Sequence, residues 1–246
     1  MALAKKADIV LVAPASANVI GKIANGIADD MLTTTVMACP CKKLVAPAMN
    51  TRMFENPILQ DNLEKCRHYG MDIIMPDSGR LACGDVGSGK LPSEEVLVAA
   101  ILKEIRYEKD MQGLKVLVTA GATQEAIDPV RFISNHSTGK MGFALAKTAM
   151  QRGADVTVVA AHTSAKEPLY VNIRRVSSAA DMFEACKEEA KTADIIIKAA
   201  AVADYTPVET ADNKIKKSDD TMAITCKRTQ DILAYLGAHK PDGQFL

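Results

Sequence analysis

Short apolar runs alternate along this chain with stretches whose apolar residues recur every three or four positions. That alternation predicts parallel strands covered by helices. In the first part, "DIVLVA" (8–13), "KLVAPA" (43–48) and "DIIMP" (72–76) read as buried strands. Between them "ANVIGKIANGIADDM" (17–31) and "NPILQDNLEKCRHYG" (56–70) read as helices, the second stopped by Gly70. Ser93 has the character of an N-cap, with Glu94 and Glu95 in the first turn and Val96, Leu97, Ala100, Ile101 and Ile105 at helical spacing after it.

The polar stretch "RYEKDMQG" (106–113) interrupts this pattern, and a second series follows. It runs strand "KVLVTAG" (115–121), a long loop, helix 139–153, strand "DVTVVA" (155–160), helix 178–192 and strand "DIIIKAAA" (194–201). Ser178 and Asp181 have capping-box spacing at the start of the second helix. The fold class is therefore α/β, with two Rossmann-like units of parallel sheet flanked by helices, 1–109 and 110–246. Ligands of such sheets bind beyond the carboxyl ends of the strands, so the loops there are where chemistry is sought.

Charge narrows the field by exclusion. Lys plus Arg and Asp plus Glu number 30 each, which gives no basic surface for nucleic acid or an anionic membrane. Aromatic residues are only 4% and Trp is absent, leaving few platforms on which bases could stack. The six cysteines do not form a secreted framework, and Cys39-Pro-Cys41 lacks the two-residue gap of a zinc or redox motif. Free thiols fit a reducing cytosol. Asp8 interrupts the apolar run after Lys5-Lys6, which argues against a signal peptide, and no stretch is long enough for a bilayer span. A cytoplasmic protein is expected.

"ACGDVGSGKLP" (82–92) matches the opening of a phosphate-binding loop, but Leu91 stands where the magnesium-holding hydroxyl is needed. Pro76, Asp77, Ser78 and Gly79 argue against a strand feeding the segment, and Pro92 disfavours a helix at Leu91. A flap carrying Cys83 is the preferred reading. Ser16 and Asn18 lie at a strand end and could hold a phosphate or flavin, or simply cap a helix. Asn50 in "PAMN" could donate its amide to a carboxylate, or form a turn. The loop 119–140 is long for an idle connection and rich in hydrogen-bonding groups, including Thr119, Thr123, Arg131, Asn135 and His136. It opens a helix at Gly139, an anion site, and lacks G-x-G-x-x-G, which argues against a nicotinamide dehydrogenase. "NKIKKSDD" (213–220) groups Lys214, Lys216 and Lys217, as a polyphosphate would require or as a solvated turn would tolerate.

Taken together, these segments carry a resemblance. "APASAN", "PAMNTRMF" and "ACGDVGSGKLP" resemble the flavin-dependent cysteine decarboxylases. "TAGATQEAIDPVRFISNHSTGKMG", "AAAVADYTP" and "KIKK" resemble phosphopantothenate–cysteine ligase. Both in one chain resemble the bacterial bifunctional enzymes of coenzyme A biosynthesis, over essentially the whole sequence. The resemblance implies FMN-dependent decarboxylation of phosphopantothenoylcysteine by 1–109 and CTP-dependent ligation of cysteine to 4'-phosphopantothenate by 110–246. In the first part it implies flavin binding by Ala15, Ser16, Ala17 and Asn18, carboxylate binding by Asn50 and proton return from Cys83. In the second it implies that Lys214 supports formation of an acyl-cytidylate and that Asn135 acts on it. Arg131, Lys198, Ala199, Ala200, Ala201 and Asp204 then bind substrate or nucleotide. Magnesium would accompany CTP, with no residue assigned as its ligand.

Against the family pattern, the decarboxylase histidine would precede Met1, and the chain stops at "GQFL" where the ligase pattern continues. "RTQDIL" (228–233) replaces the usual Asn-Pro-Asp-Ile-Leu. An internal fragment with both units truncated is therefore expected, forming homo-oligomers through exposed sheet edges and acting on small molecules rather than on nucleic acid or membranes. A non-catalytic binding module of the flavoprotein fold is the alternative.

Overall fold

The structure is a computed structural model that describes residues 2–81, 84–216 and 221–246. The chain divides into two compact units, at residues 107 and 108.

The first unit holds α1 (Ala2–Lys6), β1 (Ile9–Ala15), α2 (Ala17–Ala24), α3 (Met31–Ala38), β2 (Lys42–Pro47), α4 (Thr51–Phe54), α5 (Pro57–His68), β3 (Asp72–Ile73), the hairpin β4 (Asp77–Arg80) and β5 (Val86–Lys90), and α6 (Glu94–Ile105). A parallel sheet of order β1-β2-β3 is its centre. Strand alternation sends Val12 and Val45 to one face, where they pack with Ile20, Leu59 and Leu63. Leu44 and Ala46 go to the other, against Ala100 and Leu97 of α6.

Two readings of this unit are corrected. The helix expected over 17–31 is broken: Asn25 caps the end of α2, Gly26 takes a φ of 70°, and Asp30 starts α3 with a reciprocal capping box to Thr33. Asp77–Arg80 does form a strand, antiparallel to β5, with Gly79 at φ 156°. It is an exposed hairpin strand, in which turn-forming residues are tolerated. The strand expected over 72–76 is assigned only at Asp72–Ile73.

The second unit holds β6 (Lys115–Ala120), β7 (Gln124–Ala126), β8 (Phe132–Ser134), α7 (Lys140–Gln151), β9 (Asp155–Ala160), β10 (Asn172–Arg175), α8 (Ala179–Glu189), β11 (Ile195–Lys198), β12 (Tyr205–Pro207), β13 (Cys226–Arg228) and α9 (Ile232–His239). Its main sheet is parallel in the order β10-β9-β6-β11, so the chain reverses direction across the sheet between β6 and β11. The crevice at such a reversal is the expected ligand position. The long loop of 119–140 contains an antiparallel hairpin, β7–β8. Its buried Glu125 accepts the Ala179 N–H at 2.8 Å, fastening the hairpin to the start of α8. Among the described residues no helix is long and apolar enough to cross a membrane.

Helix α7 lies close on β6 because Gly142 has no side chain. A Cβ there would stand 2.7 Å from Ala120 Cβ and 2.8 Å from the Thr119 carbonyl oxygen. In α2 the nearest atom to a Cβ on Gly21 would be 3.8 Å away. Gly142→Ala should therefore destabilise the second unit by about 1–3 kcal/mol through overpacking. Gly21→Ala should stabilise the first by up to about 1 kcal/mol through helix propensity. Urea unfolding followed separately for each unit checks both, and equal effects at the two positions would contradict the packing.

Candidate functional sites

In the first unit the register of the sheet sets two loops side by side. Ala15, buried at the end of β1, pairs with Pro47 of β2, and the Ala48 N–H donates to the Ala15 carbonyl at 3.0 Å. Ser16 caps α2, its hydroxyl accepting the Val19 N–H at 3.3 Å; Ala17 is half-buried and Asn18 is exposed. Asn50 is the exposed N-cap of α4, and its Oδ1 accepts the Met53 N–H at 2.8 Å. Because the oxygen is engaged in the cap, the amide Nδ2 is the group left to face a ligand. Turn former and candidate carboxylate donor are thus one residue with two ends.

The hairpin sits directly on this turn. The Met49 N–H donates to the Gly89 carbonyl at 3.0 Å. A Cβ on Gly89 would fall 2.2 Å from the Met49 oxygen, and one on Gly87 would fall 2.4 Å from Thr51 Oγ1. Glycine serves here for close approach of strand to loop. Thr51 Oγ1 is buried beneath and has no hydrogen-bond partner among the described residues. Cys83, at the far end of the hairpin sequence, lies outside the described residues. The segment Val86–Lys90 is a strand, followed by α6 at Glu94 with Ser93 as cap, so the arrangement of a phosphate-binding loop is not formed.

The second unit gathers its candidates around the strand ends of β6 and β11. Thr119 Oγ1 accepts the Ala199 and Ala200 N–H groups at 3.1 Å each, and Thr123 Oγ1 accepts that of Ala203 at 2.9 Å. The Ala201 N–H donates to the Gly121 carbonyl at 2.8 Å. The segment 199–203 is therefore held by its neighbours in a fixed course. Asn135, which follows β8, donates from Nδ2 to the Val202 carbonyl at 3.2 Å.

The tethered segment separates two clefts. One, of about 580 Å³, lies at the start of α7 and is lined by His136, Ser137, Thr138, Gly139 and Ala199. The cap residue Gly139 has no side chain, and the Gly139 and Lys140 N–H groups donate to Ser137 Oγ and Thr138 Oγ1 at 3.4 Å each, long bonds that an anion at this helix start could replace. The other, of about 280 Å³, is lined by Lys198, Ala200, Asp204 and Asp231 among others. Lys198 Nζ is buried without a hydrogen-bond partner, and burial pushes its pKa down, opposed by the charge of Asp231 and by Cys186. Asp204 is exposed.

The glycine fingerprint absent from the sequence is present in space. Gly121 makes the turn after β6 with φ 84°, Gly139 opens α7 with φ 77°, and Gly142 lets helix and strand touch. These are the duties of the three glycines in a dinucleotide-type βα turn. The β7–β8 hairpin, inserted between the first and second, hides the motif from a linear scan.

Arg131 and Lys214 stand differently from what the sequence suggests. Arg131 forms a two-nitrogen contact to Asp128, Nε at 3.0 Å and Nη2 at 2.6 Å from Oδ2, and Nη2 also donates to the Ile215 carbonyl at 2.8 Å. Asp128 is buried and accepts the N–H groups of Val130, Arg131 and Ile215. Lys214 itself is exposed. Asp128 escaped the sequence reading, although Asp-Pro-Val-Arg is a turn signal in which aspartate accepts backbone N–H groups ahead of it.

Two parallel α/β units, the second with two clefts at its strand ends, define the class of Rossmann-like proteins, and the sequence comparisons make it specific. The chain belongs to the family of the DNA/pantothenate metabolism flavoprotein C-terminal domain, whose model matches residues 111–246, while residues 1–106 match the flavoprotein family. The coenzyme A biosynthesis bifunctional protein CoaBC of Bacillus subtilis is 48% identical over 239 residues, 96% of this chain and 59% of that protein. The protein of the same name from Vibrio vulnificus is 45% identical over 238 residues, with 96% and 59% covered. The chain thus spans about three fifths of the length of these relatives. A crystal structure of the C-terminal domain of a CoaBC aligns at 43% identity and a TM-score of 0.48, covering 55% of this chain and 63% of that one.

The Arg131 guanidinium, followed by the accepted N–H bonds, holds the Asp128 carboxyl well below the usual carboxylate range. A carboxylate with a depressed folded-state pKa contributes stability above its unfolded value of about 4 and loses it as pH falls toward the folded value. Acid unfolding of the second unit should therefore begin below about pH 4. Asp128→Asn should be less stable at neutral pH and show a flatter decline on acidification. Melting temperature measured from pH 7 to pH 2 checks this, and parallel curves for both proteins would remove Asp128 from the account.

Proposed function

We propose that this chain serves coenzyme A biosynthesis, with the first unit belonging to an FMN-dependent decarboxylase of phosphopantothenoylcysteine and the second to a CTP-dependent phosphopantothenate–cysteine ligase. The observation that carries the reading is the juxtaposition, in each unit, of the resemblance-bearing segments at the strand ends. In the first these are the 15–18 loop, the Asn50 turn and the hairpin seated on it. In the second they are Asn135, the 199–204 segment, the start of α7 and the anchored stretch before Lys216.

The residues of the first unit fit a flavin. Ser16 to Asn18 offer backbone and polar side-chain groups beside the Asn50 turn, as the polar edge of a planar ring system requires, while the buried Ala15 anchors the loop to the strand that leads to Asn50. FMN, when bound, supplies the two-electron redox chemistry that makes carbon dioxide loss possible. Asn50 Nδ2 would hold the substrate carboxylate, its geometry fixed by the Oδ1 bond to Met53 N–H. The Cys83 thiol would return the proton that replaces the lost carboxylate.

In the second unit the N-terminus of α7 would take phosphate oxygens, and Ala199 to Ala201 with Asp204 would border the nucleotide. Asn135 would orient the activated acyl group. The Lys214 ammonium would offset charge developing on the triphosphate as the substrate carboxylate displaces pyrophosphate. Among the described residues no cluster of three His, Cys, Asp or Glu could hold a metal ion. Magnesium would accompany the CTP phosphates. The free cysteines support a cytoplasmic setting.

Carbon dioxide release and CMP plus pyrophosphate release, measured on a chain extended to the relatives' length, separate the two halves. Lys214→Gln should lower CMP and pyrophosphate release by about 10²–10³ and leave carbon dioxide release intact. Cys83→Ala should do the reverse. A change below about twofold for Lys214→Gln, the effect of an exposed charge, would return that lysine to the solvated surface.

Met31, Leu32 and Met37 of α3 are exposed at 77%, 42% and 55%, which supports self-association through the first unit. Light scattering should show an oligomer, and Met31→Glu should shift it toward monomer; a wild-type monomer at micromolar concentration would dispose of the idea.

A further inference from the structure

The exposed loop that carries Lys214 should be free to wander, yet the residue next to that lysine is gripped at both its N–H and its carbonyl. The Ile215 N–H donates to Asp128 Oδ2 at 3.1 Å, and the Ile215 carbonyl accepts Arg131 Nη2 at 2.8 Å. A single ion pair thus holds donor and acceptor of the same residue. The pair is itself rigid. Asp128 Oδ1 accepts the N–H groups of Val130 and Arg131 at 2.8 Å each, so the carboxylate is fixed by the turn that bears its partner. Farther back, the Ala211 N–H donates to the Ile127 carbonyl at 3.0 Å, tying the loop down on both sides of Lys214.

We infer that Asp128 and Arg131 are positioning residues, which hold the Ile215 peptide so that Lys214 is presented to the anionic ligand of the second unit. This rests on the ligase reading for the identity of that ligand, a nucleoside triphosphate. Arg131 is thereby moved from ligand binder to anchor, since Nε and Nη2 are spent within the protein. Anchoring matters because a lysine carries several rotatable bonds, and ordering its backbone in advance reduces what ligand binding must order. It also puts Lys214 on the same hairpin-borne frame as Asn135, since Asp128 and Arg131 lie in the turn between β7 and β8, and Asn135 follows β8.

The test uses the chain extended to the relatives' length, with two variants and two readouts. Hydrogen exchange at the Ile215 amide should quicken at least tenfold in Asp128→Asn, and by clearly more than exchange of the α8 amides, which report the general loss of stability. Arg131→Lys, which retains a charge for Asp128 but loses the two-nitrogen fork, should fall between. The second readout is protection of the Lys214 amine from acetylation by added CTP, followed by mass spectrometry. Wild-type protection should be weakened about tenfold in Asp128→Asn and less in Arg131→Lys, an order that general destabilisation would not produce. Unchanged Ile215 exchange, or full CTP protection in Asp128→Asn, would overturn the inference and leave the ligase reading standing. Absence of CTP protection in the wild type would overturn the ligase reading, and the positioning role with it.

Discussion

The second unit depends on the contact of α7 with β6 at Gly142. Any side chain there would collide with Ala120 and with the Thr119 carbonyl, and the helix would tilt or lift away. Because it lies close, its N-terminus borders the same cleft as Ala199 of the 199–203 segment. Thr119, whose carbonyl forms part of this contact, also fixes that segment by accepting two of its N–H groups. One close approach therefore aligns a helix end, a strand end and a loop. An anion reaching that place meets aligned N–H dipoles without a large rearrangement.

Around this frame charge is placed unevenly. Asp128 is buried but fully paired and hydrogen-bonded, the condition under which a buried carboxylate is tolerated. Lys198 is buried and unpaired, and it lowers its own pKa instead. The contrast separates scaffold from cleft: where the protein needs order, each lone pair is used, and where it borders a cavity, a donor is left over.

Much of the fold was readable from apolar spacing. Helix α5 ends where Gly70 adopts a φ of 81°, and the N-cap at Ser93 and the capping box at Ser178 are formed. What escaped had weak or interrupted local signals. Helix α3 has little amphipathic contrast, and only the Asp30–Thr33 pairing betrays its start. The short hairpins β7–β8 and β12–β13 have three residues a strand, too few for alternation to show. At the sites, individual segments were visible but their spatial partners were not. The glycine set 121, 139 and 142 is split by an inserted hairpin, and the grip of Asp128 on Ile215 joins positions far apart in sequence. Long-range hydrogen bonds leave no period in a chain, so such roles emerge only when the backbone is folded.

The seating of β5 on the Asn50 turn has a consequence for how this protein can change. The contact is made by the glycine main chain of β5 against the Met49 main chain and the Thr51 side chain, with no β5 side chain at either point. A mount of that kind is indifferent to what the far end of the hairpin carries. The tip sequence, Cys83 included, can be exchanged without recutting its socket. Selection is then free to alter the tip, or its reach, while the handle stays the same.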